Sequence, residues 1–71
     1  MTTPTFGELL RARRHELDLS QEVTARKAHT TERTVRRLET GAAQPSWAMV
    51  QRLSKALDVP VTYWNTKGKT R

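Results

Sequence analysis

The sequence predicts an all-α domain of five short helices. Apolar residues recur at three- and four-residue spacing along most of the chain, and each such stretch follows a Ser, Thr or Pro that can begin a helix. Strands, which show alternating apolar and polar residues, are not indicated. The 71 residues correspond to one domain, expected over residues 1–65, followed by a basic, disordered tail at residues 66–71.

The first helix is expected to begin near Thr5. Thr3 can cap it with Pro4 at the first helical position, or Thr5 can cap it in a capping box with Glu8. Its inward stripe is expected to contain Phe6, Leu9, Leu10 and Leu17.

The second and third helices follow two further cap residues. Ser20 is expected to cap a helix whose apolar residues are small, so this helix has to pack closely against its neighbours. Thr31 is expected to cap a third helix that runs to about Thr40 and is ended by Gly41. The apolar residues of the second helix are Val23, Ala25 and Ala28, and Val35 and Leu38 are expected to form a narrow buried face on the third.

The last two helices carry most of the aromatic residues. Ser46 is expected to cap the fourth helix, with Trp47, Val50, Leu53 and Leu57 facing inward. Pro60 begins a short fifth helix that contains Val61, Tyr63 and Trp64. Because adjacent aromatics on one helix cannot both point inward, one of Tyr63 and Trp64 is expected to close the core. The other is a candidate dimer contact.

The composition of the chain favours some classes of function over others. Thirteen Lys and Arg against seven Asp and Glu give a net charge of +6, which favours a polyanionic partner such as nucleic acid. With no cysteine, and with His15 and His29 at no helical metal spacing, neither a disulfide nor a metal site is expected. No catalytic set, glycine-rich phosphate loop, membrane span or signal peptide is present, so a cytoplasmic protein without enzymatic activity is expected.

The most informative segment is Ser20 to Gly41, which reads SQEVTARKAHTTERTVRRLETG. It resembles the helix-turn-helix of the Cro and phage-repressor (Xre-like) regulator family. Pro45-Ser46 and the segment from Ala56 to Pro60 also resemble the closing helices of that family. Two positions depart from its pattern, since His29 stands where glycine is preferred and Thr24 where leucine is common. The matching residues within the segment are Ser20, Gln21, Ala25, Thr31, Thr34, Val35, Leu38, Glu39 and Gly41.

The resemblance implies a compact, lambda-repressor-like domain in which helices two and three form the helix-turn-helix and helix three (residues 31–40) enters the major groove of DNA. Base contacts are expected from the charged residues that remain outward on helix three, which are Glu32, Arg33, Arg36 and Arg37. Phosphate contacts are expected from Gln21, Thr31, Thr34 and Gln44. Family relatives also imply a structural ion pair between Arg14 and Glu39.

The expected function is that of a prokaryotic transcriptional regulator, a repressor that can control its own gene. It would bind an inverted repeat in double-stranded DNA as a homodimer, with its recognition helices about 34 Å apart. No cofactor, metal or small-molecule ligand is expected. The alternative is a protein-interaction or antitoxin-like module that uses the same fold to bind a protein partner, and a gel shift on DNA separates the two.

Overall fold

The computed structural model describes residues 4–65 of the chain. Within this range the chain forms four α-helices and a final 3-10 helix, with no strand. The α-helices are α1 (Phe6–Glu16), α2 (Gln21–Lys27), α3 (Glu32–Thr40) and α4 (Trp47–Ala56), and the 3-10 helix is Val61–Asn65. The fifth predicted helix is therefore a single 3-10 segment rather than an α-helix, and the predicted tail at residues 66–71 lies outside the described residues.

All four α-helices begin as the sequence predicts. A Ser or Thr hydroxyl oxygen precedes each helix and accepts a hydrogen bond from the backbone amide three residues later, which satisfies one of the free amides of the first turn. At α1 the Glu8 carboxylate also accepts from the Thr5 amide at 2.9 Å, so Thr5 caps the helix in a capping box. The alternative cap, Thr3, lies outside the described residues. The four hydroxyl bonds are Thr5 from Glu8 (3.1 Å), Ser20 from Val23 (3.0 Å), Thr31 from Thr34 (3.1 Å) and Ser46 from Met49 (3.1 Å).

The α-helices also end alike. The first or second residue after each helix takes a left-handed conformation, and the amide of the residue that follows it donates to a carbonyl five residues earlier, as in the amide of Ala42 to the carbonyl of Arg37 at 2.9 Å. Gly41 (φ 86°) adopts this conformation without strain because it has no Cβ. At the other three ends the residues are Asp18 (φ 59°), His29 (φ 58°) and Asp58 (φ 57°).

One apolar core joins the elements. Its eight buried residues come from all four α-helices or their ends and from the 3-10 helix, and α3 packs against both α1 and α2. The indole of Trp64 closes this core from the C-terminal side, with its ring centroid 4.6 Å from that of Phe6 and its Nε1 donating to Ser54 Oγ at 2.7 Å. The buried residues are Leu10, Ala25, Ala28, Val35, Leu38, Leu53, Leu57 and Trp64.

Two apolar residues predicted to face inward are exposed. Trp47 is 63% exposed, because it is the first residue of α4 and its side chain leans towards the helix N-terminus, beyond the packed layer. Leu17 is 36% exposed at the end of α1, where the chain already turns through Asp18. Leu19, after that turn, packs against the core instead.

Thr24 is a buried polar residue of α2. It is fully buried, and its hydroxyl has no hydrogen-bond partner among residues 4–65. A threonine therefore fills the site where the family pattern has leucine, with a polar atom in an apolar environment.

The longest helix, α1, has 11 residues, and none of the helices in the described range could cross a bilayer as an apolar span.

Candidate nucleic-acid interface

α3 has one buried face and one exposed face. Val35 and Leu38 are almost completely buried against the core, at 0% and 2% exposure. At about 100° of rotation per residue, Arg33 lies roughly opposite the midpoint of these two residues, and Thr40 lies beside it. Arg36 and Arg37 stand about 130° from the same midpoint, one on each side. The exposed face of α3 therefore consists mainly of guanidinium groups.

The charged side chains of this face have different partners. Glu32 and Arg36 form an i,i+4 ion pair at 3.4 Å, with side chains 48% and 56% exposed. The Arg37 guanidinium donates to the carbonyl of Ala42 just beyond the helix, at 3.4 Å. Arg33 has no hydrogen bond or ion pair within the described part of the chain and is exposed. Its guanidinium is thus available to an external partner.

A largely buried network of polar side chains connects α3 to α1 and α2. The Arg14 Nε donates to Glu39 Oε2 at 2.6 Å and its Nη2 to Oε1 at 3.1 Å, so the two side chains of the expected ion pair meet in a fork geometry. Their side chains are 11% and 4% exposed. Arg14 also donates to the Leu19 carbonyl at 2.9 Å, and Gln21 Nε2 donates to Glu39 Oε1 at 3.1 Å. The network links α1, α2 and α3.

The four residues expected to contact phosphate lie at three places. Gln21 is partly buried, with one amide N–H bound to Glu39 and a second N–H remaining. Thr31 and Thr34 are joined by their hydroxyls at 2.9 Å at the beginning of α3. Gln44 is exposed in the loop between α3 and α4. Gln21 and the two threonines therefore make hydrogen bonds within the protein.

Two residues that position this surface were missed by the sequence analysis. Gly7 is buried where α1 crosses α3, and a Cβ there would collide with the backbone carbonyl of Leu38 and lie 2.7 Å from that of Glu39. A glycine next to the inward stripe of an amphipathic helix is a signal of such a close approach. Arg13 binds the Leu57 carbonyl at 3.0 Å, which ties α1 to the end of α4. That contact spans 44 residues and has no local signature.

The two candidate dimer contacts, Tyr63 and Trp64, differ in their burial. Trp64 is buried at 5% exposure, so it closes the core and is not available to a partner. Tyr63 is partly buried and packs edge-on against Trp64, with ring centroids 5.0 Å apart. Tyr63 therefore remains the candidate of the two. Within residues 4–65, no three His, Cys, Asp or Glu side chains lie close enough together to share a metal ion.

Comparison with known proteins identifies the kind of domain that the chain forms. A family model described as a helix-turn-helix domain matches residues 5–62 of the chain. A search of curated protein sequences gives no match.

Several solved structures are similar over most of their length. The P22 c2 repressor in complex with a synthetic operator has a TM-score of 0.82 at 27% identity, with 87% of this chain and 94% of that chain covered. The solution structure of the DNA-binding domain of the same repressor (residues 1–76) gives 0.89 at 26% identity, with 100% and 96% covered. The restriction-modification controller protein C.AhdI from Aeromonas hydrophila gives 0.81 at 30% identity, with 83% and 89% covered.

Proposed function

This chain belongs to the helix-turn-helix domain family, and from that membership we propose that it is a sequence-specific double-stranded DNA-binding protein that regulates transcription. α2 and α3 form the helix-turn-helix, and α3 enters the major groove. The two similar P22 c2 repressor structures, one bound to a synthetic operator and one described as a DNA-binding domain, support this assignment. So does C.AhdI, a controller protein with 30% identity.

The exposed face of α3 is the observation that carries the proposal. An α-helix with its side chains is about 10–12 Å across, and the major groove of B-DNA is about 12 Å wide. The inward residues Val35 and Leu38 hold the helix on the body, and they leave Arg33, Arg36 and Arg37 on the side away from it. Guanidinium groups can bind guanine O6 and N7 in the groove or phosphates at its edges.

Within this proposal the side chains have two kinds of role. Glu32, Arg33, Arg36 and Arg37 contact base edges, and Arg33 is the main reader because it has no partner within residues 4–65 and lies opposite the buried face. Gln21, Thr31, Thr34 and Gln44 contact phosphates. Gln21 can do so through its second amide N–H while the first stays on Glu39.

The functional unit we propose is a homodimer on an inverted repeat. Two copies place their α3 helices in successive major grooves about 34 Å apart, and Tyr63 is the candidate contact between them. Such a regulator works in the cytoplasm of a prokaryote, carries out no catalysis and represses transcription, including that of its own gene.

Binding measurements on two duplexes test the proposal. A preferred duplex is selected from random-sequence DNA, and fluorescence anisotropy then gives the affinity of the protein for it and for a scrambled duplex at one fixed salt concentration. Arg33→Ala is compared with Arg52→Ala, which removes the same charge from an exposed position on α4. We expect Arg33→Ala to reduce discrimination between the duplexes by about 1–3 kcal/mol, since one bidentate base contact is lost.

Arg52→Ala is expected to weaken binding to both duplexes by a similar small factor. Equal losses on both duplexes for Arg33→Ala would contradict its role as a base reader. If the wild-type protein selects no sequence and binds random DNA weakly, the DNA-binding proposal itself fails. A protein-interaction or antitoxin-like function would then take its place.

A further inference from the structure

The exposed face of α3 is chemically one-sided. Its side chains are three arginines, one glutamate and a threonine, and α3 contains neither asparagine nor glutamine. In the major groove, arginine pairs with the two acceptors of guanine, glutamate accepts from the amino group of cytosine, and asparagine or glutamine pairs with adenine. The face therefore has groups for both bases of a G·C pair and lacks the usual readers of adenine.

Glu32 is the unusual member of this set, because a carboxylate in the major groove is repelled by the phosphates on both sides. It is also repelled by every acceptor on the base edges, which includes O6 and N7 of guanine and O4 of thymine. Its structural partner is Arg36, at 3.4 Å on the next turn. Both side chains remain about half exposed, at 48% and 56%, so the pair is accessible to DNA.

We propose that Glu32 is a negative selector in a reading face specific for G·C pairs. It holds Arg36 towards one guanine, and it requires cytosine at the base position that its own carboxylate approaches. The inference rests on the proposed DNA-binding function. Guanine and thymine present only acceptors to the carboxylate, and adenine presents its N6 donor directly beside the N7 acceptor, whereas cytosine presents a donor alone. Glu32 therefore weakens binding to most sequences and weakens it least where cytosine stands at that position.

The chain offers a matched control for this role. Glu22 and Arg26 form another i,i+4 pair on α2, at 3.9 Å with both side chains 71% exposed. Glu22→Gln and Glu32→Gln remove the same charge from the same kind of pair while preserving side-chain size. Both variants are expected to bind random DNA more tightly, since one negative charge is lost in each. Only the variant at position 32 is expected to change the preferred sequence.

The experiment is a selection from random duplex DNA with the full chain, performed in parallel for wild type, Glu32→Gln and Glu22→Gln. We expect wild type to select half-sites with at least two fixed G·C pairs. Glu32→Gln should keep the guanine read by Arg33 and shift one position from cytosine towards adenine, because an amide can bind adenine through both its N6 and N7. Discrimination at that position should fall about five-fold or more, which corresponds to the low end for one base contact. Glu22→Gln should select the wild-type site.

Modified bases test the guanine contacts directly. Replacing a selected guanine with 7-deazaguanine removes N7 from the major groove and should weaken binding about five-fold or more. Inosine at the same place removes only the minor-groove amino group and should leave binding unchanged. The inference is overturned if wild type selects a core of A·T pairs, if Glu32→Gln selects the wild-type site, or if inosine weakens binding as much as 7-deazaguanine. Absence of any sequence preference in wild type would instead refute the proposed function.

Discussion

Replacing Arg14 with alanine removes the cation from a largely buried pair and leaves the Glu39 carboxylate with Gln21 as its one partner among residues 4–65. The two paired side chains are 11% and 4% exposed, so the carboxylate cannot be hydrated in compensation. Breaking a buried pair from one side costs about 3–5 kcal/mol. A chain of 71 residues is expected to be stable by only about 4–11 kcal/mol, so the variant should be close to unfolding.

Urea denaturation followed by circular dichroism at 222 nm measures this loss. In a separate thermal melt, the melting temperature should fall by about 12–40 °C, at 4–8 °C per kcal/mol for a domain of this size. Arg26→Ala is the control, since it breaks a pair in which both side chains are 71% exposed, and it should cost less than about 1 kcal/mol.

A double variant distinguishes the loss of the whole ion pair from the cost of leaving one buried charge unpaired. Arg14→Met combined with Glu39→Leu removes both charges and should recover most of the stability, because apolar residues of similar volume replace a buried pair at little net cost. If Arg14→Ala loses no more than Arg26→Ala, the pair is not buried as the structure shows. The reasoning would also be refuted if the double variant were less stable than Arg14→Ala alone.

Four further outcomes are expected. Gly7→Ala should destabilise the fold by about 2 kcal/mol or more, because its Cβ collides with backbone, and a thermal melt no lower than wild type would contradict the close approach. Thr24→Val should stabilise by about 1 kcal/mol in urea denaturation, since it removes a buried hydroxyl without a partner within residues 4–65; a loss of stability would indicate a missing hydrogen bond. His29→Gly should raise stability by about 0.5–1 kcal/mol by relieving a φ of 58°, and an unchanged or lower melting temperature would show that no strain is stored there. Trp47→Gln should change stability by less than about 0.5 kcal/mol, given 63% exposure, whereas Trp64→Ala should cost about 3–5 kcal/mol; similar effects of the two would contradict their different burial.

The parts of the fold that the sequence predicted correctly depend on local chemistry. A hydroxyl three residues before a backbone amide caps a helix whatever surrounds it. Ser20, Thr31 and Ser46 cap where the sequence predicts, and Thr5 is one of the two caps that it allows for α1. His29 stands where the family pattern has glycine, and its left-handed conformation is likewise a property of the turn itself. The two inward residues of α3 followed from spacing alone, because this helix has only one narrow apolar face.

The parts that were predicted incorrectly or missed depend on where neighbouring elements end. Periodicity placed Trp47 inward, but it carries no information about the length of the layer against which α4 packs. Five residues after Pro60 are also too few to distinguish an α-helix from a 3-10 helix by pattern. Gln21 and Glu39 are 18 residues apart, so no local pattern indicates the hydrogen bond between them. For this reason the sequence suggested only a phosphate contact for Gln21.

The close approach at Gly7 fixes the position of α3 independently of the side chains on its exposed face. Backbone meets backbone there, so the angle of α3 against α1 is defined without any side chain on its outer surface. New outer residues can therefore be exchanged at positions 32, 33, 36 and 37 while the mounting of the helix is preserved. Under the proposed function, substitutions at these four positions would change the target sequence while the packing of α3 against α1 stays the same.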